Sequence, residues 1–145
     1  MEAGLYAASG MGRQGSVILQ VTDKALRDRL MRLNATVMGR EDTDPFYGAP
    51  ALLIVLSDRQ YSTYLYDGSL VMGNMMNAAH ALGLGSCWIH RAKEAFERPE
   101  GKQILKELGI EGDYEGIGHC VLGYPQQEGP SKTPPRKAER VYHID

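Results

Sequence analysis

One segment restricts the possible folds more than any other. Asp67 opens GSLVMGNMMNAAHALGLG, a helix whose apolar and small residues run all the way round instead of forming one stripe. A single neighbouring surface cannot cover such a helix. Gly73, Ala78, Ala79 and Ala81 also let another backbone come close. A chain of 145 residues has limited interior, so part of this helix is expected to bury against a second subunit. A central core helix in a monomer is the alternative.

The other segments mix strand and helix. GSVILQVT at 15–22 is a β-branched apolar run bounded by glycine and by Thr22 and Asp23, which can cap a following helix. That helix, DKALRDRLMRLNATVM, puts Ala25, Leu26, Leu30, Leu33 and Val37 at helical spacing, with Arg27, Arg29 and Arg32 mostly on the outer side. After the loop GREDTDPFYGAP, ALLIVLS at 51–57 is apolar throughout, as a strand covered on both faces should be, and is expected at the sheet centre. SCWIH at 86–90 reads as a short strand, PEGKQILKELG at 99–109 as a helix with a glycine stop, and GIGHCVLGY at 116–124 as another strand. The polar, proline-bearing stretch QQEGPSKTPPRKAE leads into RVYHI, a strand-like end that cannot fold back on itself and must dock elsewhere. The whole of 1–145 is expected to form one domain, with 125–145 as its extended tail.

Composition excludes several partners. Sixteen basic against eighteen acidic side chains give a net charge of -2, which offers no electrostatic footprint for nucleic acid or an anionic membrane. No apolar run approaches the roughly 18 residues of a membrane span, and no signal-like start is present. The two cysteines, Cys87 and Cys120, fit a reducing compartment, so a cytoplasmic location is expected.

Cys87, His90, His119 and Cys120 have the composition of a zinc site, but strand parity turns 87 away from 90 and 119 away from 120, so no metal is expected. Cys87 as a nucleophile needs a base, which His90 supplies only if the chain turns sharply; a buried inert thiol is the expected state. The glycines of GLG at 83–85 end a helix and precede a strand, the reverse of a dinucleotide loop, and suit a left-handed helix stop at Gly83 or Gly85. Lys132, Arg136 and Lys137 can hold a phosphate or can be solvated surface. The turn-rich loop LYAASGMGRQ at 5–14 sets Ser9, Arg13 and Gln14 among small residues, where a ligand can approach the backbone or where the chain simply connects two elements.

Taken together, LYAASGMGRQ, LNATVMGREDTDPFYGAP, YDGSLVMGNMMNAAHALGLGSCWIHRAKE, GHCVLGYP and the PPRK tail resemble the FMN-dependent nitroreductase family, in its small-subunit form. The resemblance runs over nearly the whole chain. It implies an α+β fold, a three-layer α/β sandwich around a central mixed, mainly antiparallel sheet, forming an intertwined homodimer with FMN at the interface. It implies an oxidoreductase that passes reducing equivalents from NAD(P)H to a small-molecule acceptor such as a nitro compound or a quinone. By the same resemblance, Cys87, Trp88, Ile89 and His90 pass beside the isoalloxazine ring, the surface of Trp88 and Ile89 covers it, and a backbone N–H near His90 faces flavin N5. Ser9, Gly10 and Gln14 reach the flavin of the other subunit, Arg136 and Lys137 contact its phosphate, and Asn34 matches a polar residue near the pyrimidine side. The chain departs from the family in two ways: the usual N-terminal helix and Arg-Arg-Ser-x-Arg segment are missing before Met1, and Ala8 replaces a proline in the AxSG turn. A truncated member is therefore expected, and the alternative to the enzyme is a non-catalytic or weakly flavin-binding dimeric module.

Overall fold

A strand apolar from Ala51 to Leu56 needs cover on both faces and on both edges, and it has all four. In the computed structural model, which describes residues 1–126 and 134–144, the elements run α1 (Glu2–Leu5), β1 (Ser16–Val21), α2 (Lys24–Met38), β2 (Ala51–Asp58), α3 (Tyr64–Ala81), β3 (Gly85–Ile89), α4 (Ala92–Glu97), α5 (Pro99–Glu107) and β4 (Tyr114–Gly123). The sheet order is β1-β2-β4-β3, and each of these pairings is antiparallel. β2 therefore has a neighbour on each side, while β1 and β3 form the edges.

Side chains alternate across the sheet. Leu52, Ile54 and Leu56 face a core with Leu30, Leu33, Phe46, Phe96 and Ile104, which come from α2, α4, α5 and the loop before β2. Leu53 and Val55 face the other way, onto Val71, Met72 and Met75 of α3. The result is a helix–sheet–helix sandwich of three layers. A bulge in the β2–β4 ladder, where Val55 pairs with Gly118 and Leu56 with Gly116, leaves Ile117 unopposed. Beyond it His119 joins the α2 side and Cys120 the α3 side.

The helix ends follow their local chemistry. Asp23 caps α2 by accepting a hydrogen bond from the Leu26 amide at 2.8 Å. Gly83 stops α3 with a φ of 72°, the conformation its lack of a Cβ permits.

Four expectations are corrected. Helix α3 starts at Tyr64 rather than after Asp67, so Asp67 lies in its first turn and is 5% exposed. Arg27 does not face outward: it is 8% exposed, its Nε donates to the Ala49 carbonyl and its other nitrogens pair with Asp28 and Asp44. Ala25, expected on the packed face, is exposed. RVYHI forms no strand; residues 140–144 have no regular secondary structure, with Val141, Tyr142 and Ile144 exposed. The structure adds α4, which the sequence pattern did not suggest.

Candidate functional site

The stretch after α3 ends in an edge strand, and an edge offers backbone groups that no neighbouring strand takes. Along β3, Cys87 is exposed, Trp88 half-buried and Ile89 buried, and His90 beyond it is exposed. Two readings change. Cys87 is not a buried thiol, and the Ile89 side chain belongs to the α2-side core, so it cannot cover a ring. Trp88 packs on the α3 side, where a Cβ on Gly118 would lie 2.4 Å from its indole Nε1. Glycine at 118 is what lets the indole rest on β4.

The chain turns sharply after His90. Arg91 adopts a φ of 72°, a left-handed conformation uncommon for a residue with a side chain. The turn is held from α2: the Asn34 amide N–H donates to the His90 carbonyl at 2.9 Å, and Arg91 Nε donates to Asn34 Oδ1 at 3.1 Å. Asn34 itself has no exposed surface. Arg91 was not singled out by its sequence context.

The loop at 9–14 is fixed by α3. The Gly10 amide donates to Asp67 Oδ1 at 3.0 Å, and Thr63 Oγ1 donates to Asp67 Oδ2 at 2.9 Å. Ser9 Oγ accepts from the Gln14 amide at 3.0 Å, and Met11 and Gln14 take φ values of 53° and 51°. Arg13 lies over the Tyr61 ring at 5.8 Å. Asp67 is the residue sequence reasoning passed over here; the signal was a carboxylate four positions after a threonine at a helix start.

Within one chain these two segments do not meet. The loop feeds β1 and the turn follows β3, and those strands are opposite edges of the sheet, roughly three spacings of about 4.8 Å apart. Arg136 and Lys137 are exposed, and among the described residues no hydrogen bond or ion pair ties them to the body. Lys132 lies outside the described residues.

The titratable groups near the turn are set by burial. His119 is enclosed between Phe46 and Phe96, with ring centroids 5.1 and 5.9 Å away, and neither nitrogen has a hydrogen-bond partner. Burial first, and the Arg91 charge next to it, push its pKa down to about 4; the backbone of Ile89, opposite in the ladder, pulls the other way but falls short of a hydrogen bond. Cys120 is raised to about 11, mainly by burial, with Cys87 adding to the rise, so it is inert as a nucleophile. Among the described residues, no three His, Cys, Asp or Glu side chains converge as metal ligands, and no helix is long and apolar enough to cross a membrane. A cavity of about 350 Å³ is lined by Arg59, Phe96, Lys102, Leu105, Ile110 and Tyr114, and none of the site residues expected from the sequence lines it. Its Arg59 is engaged by Glu97 and Glu115.

Comparisons with known proteins show which family shares this α+β sandwich with its four-stranded antiparallel sheet. The model of the nitroreductase family matches residues 1–124, and the chain belongs to that family. A nitroreductase of Bacteroides fragilis solved with bound FMN superposes with a TM-score of 0.87 at 26% identity, covering 99% of this chain and 83% of that one. An FMN-bound nitroreductase of Desulfitobacterium hafniense gives 0.82 at 25% identity, over 99% of this chain and 83% of that one. A protein of Archaeoglobus fulgidus named as an NADH dehydrogenase/NAD(P)H nitroreductase is 34% identical over 86 residues, 55% of this chain and 47% of that protein. The match thus spans about half the length of that curated relative.

Proposed function

We propose that the protein is an FMN-dependent oxidoreductase that acts as a homodimer, taking reducing equivalents from NAD(P)H and passing them to an electron-poor small molecule such as a nitro compound or a quinone. The observation that carries this reading is the separation of the two candidate flavin-binding segments on opposite edges of one sheet, with a helix packed across it that exposes apolar side chains on its outer face. Leu65, Tyr66 and Leu70 of α3 are 45%, 72% and 50% exposed, and a Cβ on Gly73 would meet open space. A second copy docked on that face brings one chain's Ser9, Gly10 and Gln14 to the other chain's β3 end.

The residues fit a flat, conjugated cofactor. The β3 edge leaves backbone groups free, Cys87 and His90 are exposed beside it, and Trp88 supplies apolar surface. FMN, when bound, supplies the redox chemistry. The chain's own share is to orient the ring with backbone donors at residues 87–90, to hold its polar edge with the 9–14 loop, and to neutralise its phosphate with Arg136 and Lys137 of the tail, which docks on the partner subunit. A cytoplasmic location goes with the same reading. The bound acceptor is excluded from bulk water by two chains instead of one.

The test is direct. The purified chain is expected to carry flavin absorbance, or to gain it with added FMN, and to melt higher: at 100-fold excess over Kd, linkage stabilises by about 2.7 kcal/mol. A colourless protein whose melting temperature ignores FMN is a dimeric module and not an enzyme.

A further inference from the structure

Asn34 has no exposed surface, yet its side chain serves none of its helical neighbours. Both ends of its amide reach across to the turn after β3, donating to the His90 carbonyl and accepting from Arg91 Nε. We propose that Asn34 is a positioning residue for the flavin: it fixes the His90–Arg91 peptide and the Arg91 side chain, and so sets the donors that the end of β3 presents. This rests on the flavin reading above and differs from direct contact with the ring, because an enclosed side chain must act through residues 90 and 91.

The geometry follows from the peptide. Peptide units are planar and trans, and the described residues include no cis bond. Drawing the His90 carbonyl inward to α2 therefore turns the Arg91 N–H the opposite way, outward from the core. The left-handed conformation of Arg91 is disfavoured for a residue with a Cβ, and the two bonds to Asn34 hold it there. The Asn34 oxygen also takes up Arg91 Nε, and the rest of that partly exposed guanidinium has no hydrogen-bond or ion-pair partner among the described residues. An outward amide and an aligned cation then stand together at the end of an edge strand. Such a pair favours the more negative, reduced state of a bound ring over the oxidised one.

The experiment compares the full-length wild-type chain with Asn34→Asp and Arg91→Gln, reading FMN affinity by fluorescence titration and the midpoint potential of the bound flavin. Asn34→Asp keeps the size and the acceptor for Arg91 but faces the His90 carbonyl with a second oxygen. It is expected to weaken FMN binding at least tenfold. Arg91→Gln keeps the Asn34–His90 bond and removes the cation; it is expected to shift the ratio of reduced to oxidised binding tenfold, which lowers a two-electron potential by about 30 mV. A folded Asn34→Asp whose affinity and potential match wild type overturns the proposal. If that variant does not fold, an unmoved potential in Arg91→Gln overturns it instead. A wild-type chain that binds no FMN sinks the functional reading itself, whereas wild-type binding with unmoved variants sinks only the role of Asn34.

Discussion

At the scale of single residues, His119 carries the largest consequence. It sits on the central sheet with two phenylalanine rings against it and no polar partner, so only the neutral imidazole is tolerated. Its folded pKa of about 4 lies below the ordinary 6.5. As pH falls from about 6.5 towards 4, the unfolded chain takes up a proton that the folded chain refuses, so stability is full above that window and is lost within it. The loss is on the order of 3 kcal/mol. Chemical denaturation at pH 7.5 and pH 4.5 is expected to show wild type losing that much more stability than His119→Leu, in which the carboxylates still titrate but the imidazole is gone. Equal losses in the two proteins mean that His119 is charged in the fold. The parity of 119 and 120 was legible in the sequence, because alternation along a strand is geometric. That His119 stands between Phe46 and Phe96 was not, because those rings come from a loop before β2 and from α4, and nothing local to β4 encodes their approach. The same holds for Arg27, which reads as one outward arginine of three until the Asp44 loop folds over it.

At the scale of elements, α3 has one face packed on the sheet and one face open. Val71, Met72, Met75 and Ala79 are buried on the sheet, whereas Tyr66, Leu70 and Ala81 are exposed in a single chain. Its all-round apolar character was legible and pointed to a second surface. Its start was not, since YSTYLYD has the look of a turn-rich connector, and only the reach of Asp67 to the Gly10 amide and to Thr63 gives that first turn its anchors. The short α4 was hidden for a similar reason: its Ala92, Ala95 and Phe96 are too few to set up a period, and its entry depends on the left-handed Arg91. The two faces of α3 are separable by mutation. Leu70→Glu puts a charge on the outer face, where the proposed partner subunit would have to desolvate it, at a cost of several kcal/mol. The expected product is a folded monomer by light scattering, with the secondary structure of wild type. Met72→Glu, on the inner face, is expected to unfold the chain altogether. A Leu70→Glu protein that remains dimeric removes α3 from the interface.

At the scale of the whole molecule, the question is whether one chain can make a site. The candidate segments were legible because each has its own local signature, small residues around Ser9 and a tryptophan at a strand end. Their relation was not, since it depends on which strands become edges. With β1 and β3 at opposite sides of the sheet, a site that uses both the 9–14 loop and the turn at 90 draws on two copies, and this has a consequence that no single-chain site shares. One variant, Ser9→Ala with Gln14→Ala, removes the loop's Ser9 hydroxyl and Gln14 side-chain amide; another, His90→Pro, removes the backbone N–H of residue 90 while keeping an edge-compatible residue. Each alone is expected to lose most FMN binding. Unfolded together and refolded as a mixture, the two chains pair at random, so half the dimers are mixed. In every mixed dimer one of the two sites receives both defects and the other receives neither. FMN-binding capacity is therefore expected to return to about a quarter of wild type for a two-fold dimer, measured by flavin retained after desalting. If the site lies within one chain, every site in the mixture carries a defect and the capacity stays at the level of the separate variants.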